Sequence, residues 1–324
     1  KLLSKLILVI MVLYLGNTKI YAQQSTTEPC GFDQAHKERL LTNPVYRQRT
    51  EQFEKEVQKF KVSQKTTSTN YIIPVVVHVM QDGTSLTDIS EQQIQYAINE
   101  LNERYRKIPG GLGDGNGVDV SVEFSLVVRT PDNQCTNGIV YYNLSNNSTY
   151  VNNGVNRNNS NGIDDAVLKA YSVWDQTKYY NIWLVNQIDA NGGGSGTQGY
   201  AYFASSHGSS VDGALILANK FVTSGNTTAA HEIGHALSLY HTFEGDNGGG
   251  SCPTNNNCST DGDLICDTPP HKRSSSDCVV GTNSCYNNTS TELFIHNYMD
   301  YSQDVCQSEF TAGQKTRMLA ALSI

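Results

Sequence analysis

The stretch 231–241 constrains this chain more than any other, because it spaces three histidines and a glutamate as a metal site would. Residues four apart on a helix share a face, so His231 and His235 can present their imidazoles to one ion. Glu232 occupies an adjacent position, from which its carboxylate can reach a reacting water without being a ligand. His241 is six residues beyond His235 and out of step with that face. The helix must therefore end between positions 237 and 241 for the third ring to reach the same ion.

Three neutral imidazoles at about 2.0–2.1 Å leave one coordination position open, which is the arrangement of a catalytic zinc site. Zinc lowers the pKa of a water molecule toward roughly 7 and polarises a carbonyl group, while Glu232 takes the proton. The alternative is an amphipathic core helix whose histidines face one way without binding a metal. Three histidines and a glutamate at these spacings favour the metal site, so we expect Zn²⁺ as the catalytic cofactor.

The first 22 residues have the features of a secretory signal peptide. Lys1 and Lys5 supply positive charge, an apolar run occupies 6–15, and the small residue Ala22 ends a plausible cleavage site. An uncleaved membrane anchor is the alternative, but the apolar run is short for a span. We therefore expect a secreted, extracellular protein whose mature form does not enter a membrane.

The cysteines and the net charge restrict the compartment and the partners. Six of the eight cysteines lie between 252 and 306, in a segment rich in Gly, Asn, Ser and Asp, and no Cys-x-x-Cys pair suggests a structural zinc site. In an oxidising compartment this pattern indicates disulfides that staple long loops. The formal net charge of -8, without a dense basic run, argues against nucleic acid as a partner.

The remaining pattern predicts an α/β protein with two unequal halves. Residues 23–66 are polar with helical spacing, and we interpret them as a propeptide, a plain N-terminal extension being the alternative. Residues 67–324 form the expected catalytic domain. Its first part has a β-branched strand at 72–79, a helix starting at Ser90, and strands at 118–128, 180–185, 200–203 and 213–217. Thr227 can cap a helix running to 240, and an irregular region follows 245. The cleft between such halves suits an extended peptide.

The motif at 231–241 resembles that of the metzincin metallopeptidases, whose second hallmark is a methionine turn below the zinc. Asn297-Tyr298-Met299-Asp300-Tyr301 looks like that turn. Together with 241–245, 267–269 and 310–318, it is similar to the pappalysin branch. The resemblance implies a metzincin-type domain with an α/β upper subdomain, an active-site helix and an irregular, disulfide-stapled lower subdomain. It also implies endopeptidase activity on proteins, zinc and structural calcium. Ser238 stands where the family usually has Gly in a turn with positive φ. A serine in that conformation costs on the order of 1 kcal/mol of folding free energy.

The resemblance also implies roles for residues in and after the methionine turn. Met299 is expected to form an apolar floor under the imidazoles. The hydroxyl of Tyr301 is expected to approach the zinc and stabilise the oxyanion, with a packing role as the alternative. Asp304 is expected in the wall of the pocket for the residue after the scissile bond, where a carboxylate favours Arg or Lys. A solvated surface aspartate is the alternative there.

Calcium and the disulfide pairing are expected on the same basis. Asp263, Asp267 and Thr268 look like an oxygen cluster for Ca²⁺, although an ordinary polar turn would have the same composition. The resemblance implies the pairs Cys252–Cys266, Cys258–Cys285 and Cys278–Cys306.

Cys30, followed by Gly31, is suited to a latency switch in which its thiolate takes the open position on the zinc. A disulfide between Cys30 and Cys135 is the alternative. The resulting expectation is a secreted zinc endopeptidase, made as a latent zymogen, that cleaves before Arg or Lys. A catalytically inactive, secreted metzincin-like peptide-binding protein is the other reading, and Glu232 argues against it because a binder needs no general base.

Overall fold

The computed structural model describes residues 28–63, 70–157, 161–274 and 277–324. The expected signal peptide, and the expected boundary between propeptide and catalytic domain at 66–67, lie outside the described residues. Within these ranges no helix has both the length and the apolarity needed to cross a bilayer.

Helices and strands alternate in the first part of the chain, and turns dominate after position 240. The helices are α1 (Phe32–Thr42), α2 (Pro44–Ser63), α3 (Glu91–Tyr105), α4 (Ser148–Asn153), α5 (Asp165–Ala170), α6 (Ala218–Val222), α7 (Thr228–Ala236) and α8 (Ala312–Ala321). The strands are β1 (Tyr71–Gln81), β2 (Val122–Leu126), β3 (Ile139–Asn143), β4 (Val155–Asn156), β5 (Ile163–Asp164), β6 (Tyr180–Val185), β7 (Gly199–Ala201), β8 (Ala214–Leu217), β9 (Thr282–Asn283) and β10 (Thr289–Ser290). Short 3₁₀ turns lie at Ala204–Ser206, Thr291–Leu293 and Asp304–Cys306.

A six-stranded sheet organises the upper half. β1 pairs in parallel with β2 and β3 along one side and with β6 along the other, and β8 then pairs with β6. β7 runs antiparallel to β8 and forms the edge of the sheet. The centre of β1 is buried on both faces, as expected for a central parallel strand. The strand expected at 118–128 is shorter, because Ser121 has φ +65° and breaks the extended conformation.

Helices α3 and α7 pack on one face of this sheet. The N-terminus of α3 has a capping box, in which Ser90 and Gln93 satisfy each other's backbone N–H groups. The apolar side of α3 shares one core with alternate β1 residues and with Ala230 and Ile233 of α7. The active-site helix is therefore fixed to the sheet by its apolar side, which leaves its polar side for chemistry.

The lower half is held by disulfides, and their pairing corrects two expectations. The structure joins Cys252 to Cys285, Cys258 to Cys266, and Cys278 to Cys306. The expected pairs Cys252–Cys266 and Cys258–Cys285 are therefore wrong, whereas Cys278–Cys306 is as expected. The reason is local, because Asp261 accepts hydrogen bonds from the backbone N–H groups of Asn256 and Asn257. This turn folds the loop back and brings the Cα atoms of Cys258 and Cys266 to 4.9 Å.

The N-terminal segment forms two helices that pack on the catalytic domain. Helix α2 buries Tyr46, Thr50, Phe53 and Val57, which are spaced four, three and four residues apart and so form one stripe. Phe53 and Val57 share a core cluster with Phe203 and with Ala320 of α8. The helical spacing predicted for this segment is confirmed.

Candidate active site

Helix α7 carries the first two histidines and ends before the third. It runs only to Ala236, not to 240 as expected, because the chain turns at Ser238 with φ +80°. This is the left-handed conformation that the resemblance implied at that position. The buried Ser238 donates its N–H to the carbonyl of His235 at 2.8 Å and accepts the Nε–H of Arg317 at 2.5 Å. The turn that carries the chain to His241 is thus held by α8.

Each histidine has its Nδ1 next to a hydrogen-bond acceptor. Nδ1 of His231 is 2.6 Å from the carbonyl of Tyr298, and Nδ1 of His235 is 2.7 Å from the carbonyl of Leu239. A carbonyl oxygen can only accept, so each Nδ1 carries the proton and each Nε2 keeps a free lone pair. Burial lowers the pKa of His231 to about 3 and that of His235 well below its usual value, so both rings stay neutral. Neutral imidazoles are the form that binds metals.

The three Nε2 atoms converge on one point. Those of His231 and His241 are 3.1 Å apart, those of His231 and His235 are 3.2 Å apart, and those of His235 and His241 are 3.3 Å apart. Nitrogen ligands at about 2.0–2.1 Å in a tetrahedron lie roughly 3.3–3.4 Å from one another. The residues present therefore fit a tetrahedral zinc ion with three imidazole ligands.

Cys30 lies at the remaining side of this cluster. Its Sγ is 3.4 Å from Nε2 of His235 and 3.4 Å from a carboxylate oxygen of Glu232. This sulfur and the three Nε2 atoms all lie within 4.8 Å of one another. The thiol is free and buried, and Cys135 is also free but exposed, so the alternative disulfide between them is absent. The backbone beside Cys30 pairs with the sheet edge, since the Gly31 N–H donates to the carbonyl of Gly199 at 2.9 Å.

Glu232 is buried against the same point. Burial raises the pKa of its carboxyl group to about 8, against opposing contributions from Cys30 and His241. A carboxyl group whose pKa is raised toward neutrality, next to a metal position, is suited to accept a proton and return it.

Met299 lies directly beneath α7. It is fully buried, and a Cβ placed on Gly234 would come within 2.5 Å of the methionine sulfur. Glycine therefore permits this contact without a shift of the buried methionine side chain. The turn is fixed by Asn297, which accepts the Met299 N–H at 2.9 Å and exchanges two amide hydrogen bonds with Gln314 at 2.8 and 2.9 Å.

Tyr301 lies against the imidazoles. Its ring centroid is 5.0 Å from that of His241 and 5.9 Å from that of His231. Its hydroxyl is buried and has no hydrogen-bond partner among the described residues. Burial raises the pKa of Tyr301 well above its usual value, so the hydroxyl remains a neutral donor. An unpaired buried donor at this position has the chemistry needed to stabilise a developing oxyanion.

Asp304 lies in the same cleft, which has a volume of about 450 Å³ and is also lined by Cys30, Glu232 and Tyr301. The structure thus brings the predicted specificity residue next to the predicted catalytic residues. A larger cavity of about 810 Å³ lies between α2 and β1 and is lined by none of the predicted site residues.

The residues predicted for calcium are only partly brought together. Asp263 is buried and accepts the Thr268 hydroxyl at 2.7 Å and the Ile265 N–H at 3.1 Å. Burial raises the pKa of Asp263 to about 7. The carboxylate of Asp267 instead accepts hydrogen bonds from Thr311 and Gly313 at the start of α8.

Sequence reasoning missed several residues around the site. Asp33 accepts the Nδ1–H of His241 at 2.9 Å and, although burial opposes it, raises the pKa of that ring. Arg157 donates to the Gly31 carbonyl at 2.6 Å. Asp33 follows Cys30 by three residues, which is the only sequence signal that could have drawn attention to it.

The chain is similar to known extracellular metalloproteases. A family model described as pregnancy-associated plasma protein-A, a metallopeptidase family, matches residues 161–323. An extracellular metalloprotease of Pyricularia oryzae is 36% identical over 258 residues, covering 76% of this chain and 73% of that protein. One of Arthroderma otae is 31% identical over 260 residues, covering 77% of each.

Solved structures of mirolysin and of its pro-form are also similar. A promirolysin mutant of Tannerella forsythia has 28% identity and a TM-score of 0.70, covering 90% of this chain and 93% of that chain. Mature mirolysin of the same organism, in complex with a cleaved peptide, has 29% identity and a TM-score of 0.61. That match covers 78% of this chain and 91% of the mirolysin chain.

Proposed function

This chain belongs to the pappalysin family of metzincin metallopeptidases and is a zinc metalloendopeptidase, and on that premise we propose that it is secreted, that it cleaves proteins before Arg or Lys, and that its N-terminal segment keeps it latent. The observation that carries the proposal is the convergence of three histidine Nε2 atoms with one thiol and one buried carboxyl group. The names of the relatives and the signal-like residues 1–22 support secretion.

We assign the reaction to residues of α7 and of the methionine turn. His231, His235 and His241 hold the zinc, which when bound supplies Lewis-acid polarisation of the substrate carbonyl and lowers the pKa of water. Glu232 takes the proton from the attacking water and passes it to the leaving amine. Tyr301 donates its unpaired hydroxyl to the oxyanion that develops on the carbonyl oxygen. The intact Glu232 favours this enzyme over an inactive peptide-binding protein.

Latency is the second part of the proposal. In the described structure Cys30 fills the side of the histidine cluster where a substrate carbonyl would have to enter. Phe32 stacks on His235 with ring centroids 3.9 Å apart, and Asp33 pairs with His241. The zymogen of mirolysin matches a larger share of this chain than the mature enzyme does. We therefore assign residues 23–66 to the propeptide and residues 67–324 to the active enzyme.

Asp304 supports a preference for Arg or Lys after the scissile bond. Asp304 lines the same cleft as Glu232 and Tyr301, at the side of the methionine turn. A fixed carboxylate attracts a cationic side chain by charge and by hydrogen bonding. The disulfide from Cys278 to Cys306 ties the 3₁₀ turn that contains Asp304 to the irregular region of the lower half.

We also propose a structural calcium ion at Asp263 and Thr268, with Asp267 nearby. Asp263 is a buried carboxyl group whose described partners are a hydroxyl and a backbone N–H. A hard cation would offset the cost of burying its charge, and oxygen ligands of this kind suit calcium.

The proposed function is tested by profiling cleavage sites in a mixed protein digest. Three samples are compared: the activated wild type, Glu232→Ala, and wild type treated with a zinc chelator. We expect cuts before Arg and Lys that disappear in both other samples, and one zinc per chain by elemental analysis. Cuts at other residues would still support the peptidase activity but would refute the preference for Arg or Lys. Zinc-loaded, processed wild type that makes no cuts would refute the activity.

A further inference from the structure

We propose that Asn226 and Thr227 are positioning residues for substrate selection, because they fix the carboxylate of Asp304 as a preformed acceptor for the side chain after the scissile bond. The inference rests on the proposed preference for Arg or Lys and identifies which neighbours make it possible.

Three hydrogen bonds hold the Asp304 carboxylate. Oδ1 accepts the Thr227 hydroxyl at 2.6 Å and the Thr227 N–H at 3.2 Å, while Oδ2 accepts the Asn226 amide at 2.9 Å. A carboxylate has about four acceptor positions, so one remains for a substrate cation. Thr227 is the N-cap residue of α7, but its hydroxyl makes no capping bond and donates to Asp304 instead. Thr227 is therefore the N-cap residue, as expected, but its hydroxyl bonds to Asp304 and not to the backbone of the helix.

The loop that carries these donors is itself anchored by two buried charged residues of α3. Glu100 accepts the Ser224 hydroxyl at 2.5 Å and the Gly225 N–H at 3.1 Å. Arg104, one turn further along α3, donates to the Asn226 carbonyl at 3.3 Å. Glu100 is 7% exposed and Arg104 is 4% exposed. Because buried charges need partners, both side chains fix the loop at 224–226 in one place.

Asp304 needs this support because of where it lies. It begins an exposed 3₁₀ turn, and the following residue, Val305, is 84% exposed. A carboxylate that was free to rotate on such a turn would lose conformational freedom whenever substrate bound, which weakens binding. With both oxygens held, the acceptor geometry exists before the substrate arrives.

The competing interpretation is that Asp304 only stabilises the N-terminus of α7 and has no role in binding substrate. A carboxylate near a helix N-terminus stabilises the helix whatever substrate is bound. That role would change the stability of the protein but not its choice among substrates. The ratio of activities on matched substrates therefore separates the two interpretations.

The test uses full-length protein, activated by removal of its N-terminal segment, and peptides that differ only in having Lys or Leu after the scissile bond. Thr227→Val removes the hydroxyl but keeps the side-chain shape, and Asn226→Ala removes the amide donor together with the oxygen that accepts the Thr228 N–H. In both variants we expect the Lys-to-Leu ratio of kcat/KM to fall about fivefold to tenfold, through KM for the Lys peptide. Thr227→Ser keeps the hydroxyl and should restore the ratio. Thr316→Val, which removes a hydroxyl on the exposed side of α8, is the matched control.

Asp304→Ala is measured in parallel to separate two kinds of failure. If it abolishes the Lys preference while Thr227→Val and Asn226→Ala retain it, the positioning role is wrong and the specificity stands. If the wild type itself shows no preference for Lys over Leu, the specificity and the positioning role fall together. Chelator-sensitive cleavage of the Leu peptide would still establish the endopeptidase in that case.

Discussion

The histidines of the cluster are oriented by the hydrogen bond on Nδ1, and the three partners differ in origin. His231 and His235 bond to backbone carbonyls of the catalytic domain, at Tyr298 and Leu239. His241 bonds to Asp33, 208 residues away in the N-terminal segment. The ligand spacing could be predicted from sequence because it is local. The partners could not, since two of them lie on turns and Asp33 lies on α1, and only the folded chain brings these elements to the histidines.

A buried histidine outside the cluster makes stability sensitive to acid. Nε2–H of His78 donates to the side-chain oxygen Oδ1 of Asn181 at 2.8 Å, the ring stacks on Trp183, and burial lowers the pKa of His78 to about 4. Between pH 4 and about 6.5 the unfolded chain binds a proton that the folded chain excludes, so stability falls as pH falls through that window. The difference corresponds to about 3 kcal/mol by pH 4. Urea unfolding of the full chain at pH 4, 5.5 and 7 measures it.

The matched variants for this prediction are His78→Gln and His207→Gln. We expect the first to be less sensitive to acid than wild type, because glutamine does not titrate. His207 has its pKa raised by its hydrogen bond to Asp212, so replacing it should not reduce acid sensitivity. Equal pH slopes for wild type and His78→Gln would contradict the assignment.

At the scale of elements, α7 is held by contacts at three places: beneath its middle, at the turn after its C-terminus and at its N-terminus. Met299 lies beneath Gly234, Arg317 of α8 holds the turn at Ser238, and Asp304 holds Thr227. The helix, its first residue and the turn after it could be predicted from the motif and from Ser238 standing at a glycine position. Its last residue, Ala236, lies just before the window of 237–241 required by the ligand spacing, but the contact with Arg317 that holds the turn, 79 residues away, could not be predicted.

Gly234→Ala is predicted to destabilise the protein, against the usual effect of alanine in a helix. Alanine normally stabilises a helix relative to glycine by about 1 kcal/mol. Here the added Cβ would meet the Met299 sulfur at 2.5 Å, and overpacking of this kind costs about 1–3 kcal/mol. Thermal unfolding of the full chain measures the change, with the exposed Gly281→Ala as control. A Gly234→Ala protein as stable as wild type would contradict the prediction and mean that the Met299 side chain can move away from α7 without cost.

Helix α2 forms a second anchor for the N-terminal segment, away from the histidines. Glu54 pairs with the fully buried Arg317 through both guanidinium nitrogens, at 2.5 and 3.0 Å, and accepts the Tyr240 hydroxyl. Removing one partner of a buried ion pair leaves the other charge uncompensated and costs about 3 kcal/mol. We expect Glu54→Ala to lower the melting temperature of the full chain and to speed its activation by added protease. Glu56→Ala, a partly exposed position on the same helix whose carboxylate pairs with the exposed Lys59, should do neither.

At the scale of the whole molecule, the sequence predicted the secondary-structure content of each part of the chain better than the disulfides and hydrogen bonds that join the parts. The α/β upper half, the irregular lower half and the helical N-terminal segment follow from periodicity and composition. Two of the three disulfide pairs that the resemblance implied are wrong, because the pairing depends on a turn at 256–261 that cysteine spacing does not encode. The bond from Asn226 to Asp304 spans 78 residues and leaves no local pattern either.

The central claim is that one zinc is held by three histidines and closed off by Cys30. X-ray absorption at the zinc edge, on the unprocessed chain, tests it most directly. We expect three nitrogen ligands at about 2.0–2.1 Å and one sulfur at about 2.3 Å. In Cys30→Ser the sulfur should vanish while the nitrogens remain. A wild-type spectrum without sulfur would contradict latency through Cys30, and a chain that binds no zinc would contradict the metal site itself.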